Sequence, residues 1–431
     1  MSAIKRSLNV GVVGMGNMGI PITRNLAFKA RSAMYLQIHS RTLSKARQVC
    51  DDMSADGATC AMRIHDRYST MTKWCDVILL TLAHRAASRK VLLEDNEALV
   101  TNARPGQIIV DHTTVDMELS RECAYEAERR GAVFLDAPMS GSPKQAFNNQ
   151  LVLMVGGPAE QVQRVSPIFR MYADNIHHMG ANGSGTAAKL LSQALVASHN
   201  AAAAEAMTIA NRLGIEDYQK LIQVLDASWG SSTMLRRNAP TMQDLVRNPD
   251  KLAPSSGASI DNLLEDLALL DASLPKIEKG DDGNGGREVE EERFPVLDAS
   301  LRMLGAAAES GMGDRDMAAV IHYIPAAAVM EKEEGVRVQP RGLTSGAFLD
   351  RNATGRVSSG PAAAAWAAGV TSSPPVSAEI EMDPGSLADS LSAAESSGND
   401  NGSTAQAASI AESLATPSSQ QSPAFTLEDF Y

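Results

Sequence analysis

Leu8-Asn-Val-Gly-Val-Val-Gly14-Met-Gly16-Asn-Met-Gly19 is a short β-branched apolar run that breaks into three glycines. From Ile20 to about Phe28 it passes into an apolar pattern of helical period. A run of this kind is expected of a strand buried on both faces. Glycines spaced G-x-G-x-x-G between a strand and a helix permit a tight turn. They also let the backbone approach a pyrophosphate, whose charge meets the helix N-terminus. The same spacing occurs in ordinary Gly-rich turns, so context decides. Strand-like runs recur at 34–39, 76–82, 107–111, 132–136 and 151–156, mostly with helical patterns between them. Strands alternating with helices imply parallel βαβ units and a doubly wound α/β sheet. Gly14, Met15, Gly16, Asn17, Met18 and Gly19 are therefore read as a dinucleotide-binding loop.

The second strand indicates which dinucleotide. A site for NAD places Asp or Glu at the end of that strand, where it holds the ribose 2′-hydroxyl. Here the strand runs out as Ile38-His39-Ser40-Arg41-Thr42, with no carboxylate before Asp51. Arg41 can stack on adenine and pair with a 2′-phosphate, helped by the hydroxyls of Ser40 and Thr42 and by Lys45. NADP is expected in preference to NAD.

The sequence changes character near Gly180. Residues 186–213 are rich in Ala and Leu and hold no Gly or Pro, and Gly214 follows. That pattern predicts one long helix, with further helices at 218–228, 260–274 and 295–310. The expected organisation is a dinucleotide-binding domain over 1–179 and an all-helical domain over 180–330. Within the latter, 276–293 is a charged, Gly-rich loop insertion. From 331 to 431 a Ser/Ala/Gly/Pro-rich composition predicts a disordered tail.

The chain of 431 residues carries 39 Lys and Arg against 51 Asp and Glu, a formal net charge of −12, which argues against a nucleic-acid partner. No Lys or Arg follows Arg356, whereas nine carboxylates do, so the acidity belongs to the tail and the body is nearly neutral. Cys50, Cys60, Cys75 and Cys123 form no CxxC pair and are not spaced with His, which predicts neither a disulfide framework nor a metal site. No apolar run reaches the ~18 residues of a membrane span. A soluble cytoplasmic protein is expected.

Two further segments carry chemistry. Asp136-Ala-Pro-Met-Ser140-Gly141-Ser142 closes a strand with small residues, where α/β sheets bind ligands. The Ser140 hydroxyl with the Gly141 and Ser142 amides can hold a carboxylate, although the segment reads equally as a turn. Gly183-Ser-Gly-Thr-Ala-Ala-Lys189 places a single Lys in the long helix, with Gln193 four residues on. Lys189 is either a surface cation on an apolar stem or a partly buried amine suited to proton transfer; spacing does not choose between them.

Together these segments resemble the β-hydroxyacid dehydrogenases, the family of 3-hydroxyisobutyrate dehydrogenase and glyoxylate/succinic semialdehyde reductase. The family's cofactor motif is similar to Gly14–Gly19, its D-x-S/T-T motif to Asp111-His-Thr-Thr114, and its D-A-P-V-S-G-G motif to 136–142. Its M-V-G-G segment is similar to 154–157, and its G-x-G-x-x-x-K motif to 183–189. A late P…G-x-G-x-x-D pattern resembles Pro295, Gly311, Gly313 and Asp316. The resemblance covers about residues 8–323. It implies a Rossmann-type domain followed by an all-α domain, with assembly of copies through the latter. It makes Lys189 the general acid/base and puts the substrate carboxylate on Ser140, Gly141 and Ser142, with Gln193 nearby. Thr114 is placed beside the nicotinamide and Asp266 at the cofactor.

Three positions depart from the pattern: Gln193 stands for Asn, Ser142-Pro143 follow where a second Gly is usual, and Glu265 replaces Lys before Asp266. The implied activity is NADP-dependent interconversion of a small hydroxy acid and its semialdehyde or keto acid. The alternative is a catalytically impaired dinucleotide-binding relative acting as a sensor or interaction protein.

Overall fold

The computed structural model describes residues 7–30, 34–274, 277–278, 289–290 and 294–324. The tail expectation, and most of the 276–293 insertion, lie outside the described residues. The chain begins with β1 (Leu8–Val13), α1 (Gly19–Lys29), β2 (Met34–His39), α2 (Leu43–Ala55), β3 (Ala61–His65), α3 (Thr70–Trp74), β4 (Val77–Leu80) and α4 (Arg85–Arg89). It continues through β5 (Ile108–Asp111), α5 (Met117–Glu128), β6 (Val133–Asp136), β7 (Met139–Ser140), α6 (Pro143–Phe147), β8 (Leu151–Gly156), α7 (Ala159–Phe169) and β9 (Ala173–Gly180).

Strand order is β3-β2-β1-β4-β5-β6-β8-β7, with β9 on the far side of β8. β1 to β6 are parallel, as the buried apolar runs of all but β3 predict. The sheet is not wholly parallel, however: β8 runs antiparallel to β6 and β7. One apolar core covers Val10, Leu36, Ile38 and Leu153, and a second covers Val13, Ile78, Leu80 and Phe134. β3 and β9 were not expected as strands. Both are exposed along much of their length, so their side chains do not show the apolar run of a central strand.

After β9 come α8 (Ser184–Arg212), α9 (Tyr218–Asp226), α10 (Thr233–Arg247) and α11 (Ile260–Ser273). Then follow β10 (Ile277–Glu278), β11 (Val289–Glu290) and α12 (Pro295–Ala307). The described ends of the insertion pair as an antiparallel β10–β11 ladder where a plain loop was expected. α10 was also not anticipated: its central Pro240 and three arginines mask a buried stripe of Leu235, Ala239, Met242 and Leu245. α8 ends as predicted, on Gly214 at φ +70°, whose amide and that of Ile215 close back on Asn211 and Ala210.

Candidate active site

The Gly-rich loop turns at the C-terminal end of β1. Gly14 sits at φ +106°, and its amide donates to His39 O of β2. A Cβ on Gly19 would lie 1.8 Å from the Gly14 carbonyl, so only Gly lets α1 start so close to β1. Gly16, by contrast, faces open space. The N-terminus of α1 has no side-chain cap and no acidic residue in its first turn. Its amides therefore remain available to an anion. Beneath the loop Met15 is buried, and Asn17 projects from it. Met18 is the residue from which α1 begins. The Thr81 hydroxyl donates to Gly14 O at 2.7 Å. These features fit a dinucleotide pyrophosphate.

Where β2 ends, Ser40 is buried while Arg41 and Thr42 are exposed at the start of α2. His39, which sequence reading did not single out, meets His65 O through Nδ1 and stands edge-on to Tyr68. Burial lowers its pKa.

Thr114 follows the end of β5 and is half-buried. Its neighbours are held from below. Asp111 accepts from the Ser88 hydroxyl and from the Thr113 amide, and burial pushes its pKa up to about 6. His112 Nδ1 meets the Ala137 carbonyl at 2.6 Å. A carbonyl can only accept, so Nδ1 carries the proton and Nε2 accepts from the Tyr172 hydroxyl at 3.0 Å. Burial pushes the His112 pKa down to about 4, which keeps the ring neutral.

Asp136, at the end of β6, is buried and accepts from the amides of Gly183 and Thr186 at 2.8 and 2.9 Å. It caps the start of α8 from another element, satisfying two amides that a helix N-terminus leaves open. Ser140 lies in β7 opposite Val152, and Gly141 follows at φ +143°. Ser142 departs from its expected use. Its amide donates to Gln145 Oε1 at 2.9 Å and its hydroxyl accepts from the Gln145 amide at 3.2 Å, a complete capping box for α6. The Ser142 amide is thus committed within the chain, whereas the Ser142 hydroxyl, which only accepts in the capping box, keeps its hydrogen and can meet a carboxylate together with the Ser140 hydroxyl and the Gly141 amide.

Lys189 is only 9% exposed, so it is not a solvated surface cation. Its Nζ donates to Gln193 Oε1 at 3.1 Å, and Gln193 Nε2 donates to Asp266 Oδ2 at 2.5 Å. The amide thus joins an amine on α8 to a carboxylate on α11. Burial lowers the Lys189 pKa, against the opposing pull of Asp266. Burial raises that of Asp266, against Lys189 and the Gln193 hydrogen bond. Glu265 stands outside this chain. It is exposed and lines a cleft with Arg85, Asp116, Glu118 and Leu269, in which Arg85 is paired with Asp116.

Among the described residues no cluster of His, Cys, Asp or Glu could hold a metal ion, and all four cysteines are buried and unpaired. Among the same residues no helix is long and apolar enough to cross a membrane.

Comparison with known proteins adds to this geometry. Residues 9–180 match the family model described as the NAD binding domain of 6-phosphogluconate dehydrogenase. Residues 183–270 match that described as NAD-binding of NADP-dependent 3-hydroxyisobutyrate dehydrogenase. The chain is 26% identical over 330 residues to L-threonate dehydrogenase of Cupriavidus necator, covering 76% of this chain and 100% of that one. It is 28% identical over 268 residues to human mitochondrial 3-hydroxyisobutyrate dehydrogenase, covering 61% and 75%. Among solved structures, a Mycobacterium tuberculosis 3-hydroxyisobutyrate dehydrogenase determined with L-serine matches with TM-score 0.57 and 25% identity. That match covers 74% of this chain and 99% of the other.

Proposed function

Because the chain belongs to the β-hydroxyacid dehydrogenase family and is an NAD(P)-dependent dehydrogenase acting on CH–OH groups, we propose that it interconverts a small hydroxy acid and its semialdehyde or keto acid with NADP. The observation that carries this reading is the buried Lys189 amine, oriented by Gln193 and Asp266 on a helix whose start is capped by Asp136. When bound, the nicotinamide supplies or accepts the hydride. The chain's own part is the proton. In oxidation the neutral Lys189 amine takes it from the substrate hydroxyl; in reduction the ammonium gives it to the carbonyl oxygen. Ser140 and Gly141 receive the substrate carboxylate, and Thr114 lies on the nicotinamide side.

Gly14 to Gly19 hold the pyrophosphate, and Arg41, with Ser40 and Thr42, selects the 2′-phosphate. The division into a dinucleotide domain over 1–179 and a helical domain over 180–330, assembly of copies through the latter, and a cytoplasmic setting belong to the same reading. The test is Lys189→Met, which should retain NADPH affinity, measured by fluorescence titration, while losing ~10²–10⁴ in turnover. A parent protein that binds NADPH but converts none of a broad hydroxy-acid and carbonyl panel would refute the catalytic assignment. That outcome would favour an impaired, dinucleotide-binding relative, a reading supported by the committed Ser142 amide and by the anionic Glu265.

A further inference from the structure

Between α10 and α11 the chain runs as Pro254-Ser-Ser-Gly-Ala258, and this loop is held from one carboxylate and its neighbours. The Asp316 amide donates to Pro254 O at 2.8 Å, and the Met317 amide to Ala258 O at 3.0 Å. Asn262 Nδ2 donates to Gly257 O at 3.0 Å. The Ser256 hydroxyl donates to Asp316 Oδ2 at 2.6 Å and accepts from the Ala258 amide at 3.1 Å. Asp316 is buried and takes Arg237 of α10 in a bidentate pair at 3.1 and 2.7 Å. The planar guanidinium fixes the carboxylate to which Ser256 is bonded.

The tip of this loop reaches the Gly-rich loop at the end of β1. A Cβ on Gly257 would lie 3.5 Å from Asn17 Nδ2, an ordinary contact, and would meet no other atom of the described residues within 4 Å. The Gly257 backbone is not in the left-handed region either. Neither strain nor crowding within the chain therefore calls for glycine here. Glycine at such a place lets backbone approach a ligand closely. Gly257 is exposed, and its amide donates to no acceptor among the described residues.

We propose that residues 254–258 are a strap by which the helical half closes the dinucleotide pocket over the pyrophosphate, with Asp316 as its positioning residue. The inference rests on the dinucleotide reading of Gly14 to Gly19. The open amides at the start of α1 meet the pyrophosphate from one side, and the Gly257 backbone covers it from the other. Asp316 acts at one remove: it fixes Ser256, and through Ser256 the adjoining Gly257. A wall of this kind must yield before a bound dinucleotide leaves, so loosening it shortens the residence time more than it alters capture.

Ser256→Ala removes the hydroxyl that joins the strap to Asp316 and leaves the Arg237–Asp316 pair in place. Stopped-flow fluorescence on the full chain, with bound NADPH displaced by excess NADP, is the measurement. Dissociation should be at least about fivefold faster, with association within about twofold of the parent. Ser256→Thr keeps a hydroxyl and should release NADPH at the parent rate. Any dinucleotide that the parent binds should be released faster by the same factor, because the pyrophosphate is common to all of them. Gly257→Val fills the space beside Asn17 and should lower NADPH affinity at least about tenfold, with a melting temperature within ~2 °C of the parent.

A parent that binds neither NADPH nor NADH overturns the dinucleotide reading and the strap with it. A parent that binds, beside a Ser256→Ala protein with unchanged release or a Gly257→Val protein with unchanged affinity, overturns the strap alone. The strap also fails if Ser256→Thr is as impaired as Ser256→Ala. It fails again if faster release comes with a fall in melting temperature of more than ~5 °C, since Ser256 would then serve the fold and not the pocket.

Discussion

Asp266→Asn isolates the electrostatic part of the Lys189–Gln193–Asp266 chain. The substitution keeps the side-chain shape and an oxygen able to accept from Gln193 Nε2, but removes the negative charge. Lys189 Nζ and the Asp266 carboxylate are separated by the Gln193 amide, with hydrogen bonds of 3.1 and 2.5 Å on either side. Taking roughly 6–7 Å between the charges and an effective dielectric of about 20, Coulomb's law gives ~2.5 kcal/mol, or about two pKa units. Asp266 opposes the burial that lowers the Lys189 pKa, so its loss moves that pKa further down.

In the direction of alcohol oxidation the neutral amine is the active form, and the acidic limb of kcat/KM against pH reports its titration. That limb should move to lower pH by one to two units, reduced somewhat by solvent screening. In the reductive direction the ammonium is the active form, and the alkaline limb should move the same way. The assay is a pair of pH–rate profiles, parent and variant, at saturating NADP(H). An unmoved limb, or one displaced to higher pH, would refute the idea that Asp266 sets the Lys189 charge.

Arg41→Ala should erase most of a preference for NADPH over NADH, a loss of about ten- to hundredfold in affinity for a charge-assisted contact. Equal affinities in the parent would remove the basis for the NADP assignment. Gly16→Ala meets no atom of the described residues within 4 Å, so its unfolding free energy should match the parent within ~0.5 kcal/mol while dinucleotide affinity falls. Gly19→Ala drives a methyl into the Gly14 carbonyl and should cost ~2–4 kcal/mol in urea denaturation; similar melts for the two variants would contradict the loop geometry.

Asp111, with a folded pKa of about 6, is raised above its unfolded value, so the stability it contributes is present at low pH and lost as pH rises through 6. Relative to Asp111→Asn, the parent should lose ~3 kcal/mol between about pH 4 and 7. Parallel stability–pH curves would show that the carboxyl is not so perturbed.

The parallel strands and the Gly-rich loop were legible because both are local in cause. A strand buried on two faces must be apolar at every position, and the tightest clash of the turn, Gly19 against the Gly14 carbonyl, lies within six residues, although Thr81 at the end of β4 crowds both glycines as well. β9 was not legible for the converse reason: at the sheet edge most of its side chains face water, and Ala-Asp-Asn-Ile-His-His-Met-Gly need not be apolar to hold its place. Ser142 is a middle case. Its capping partner lies only three residues away, but a committed amide and an available one look the same in sequence until Gln145 Oε1 is seen to accept from it.

What the sequence by itself determined was therefore the Rossmann-like half, the position of its Gly-rich loop, the long helix and the presence of one Lys near that helix's start. Local steric and burial rules act on neighbouring residues, and their pattern is written along the chain. The state of the candidate catalytic group was decided only by tertiary structure. Asp136 reaches the start of α8 across 47 and 50 residues, and Gln193 reaches Asp266 across 73. Lys189 is an ordinary solvated cation or a desolvated acid/base according to what folds over it. Burial and through-space charge, which fix its pKa, depend on distances that residue spacing does not contain.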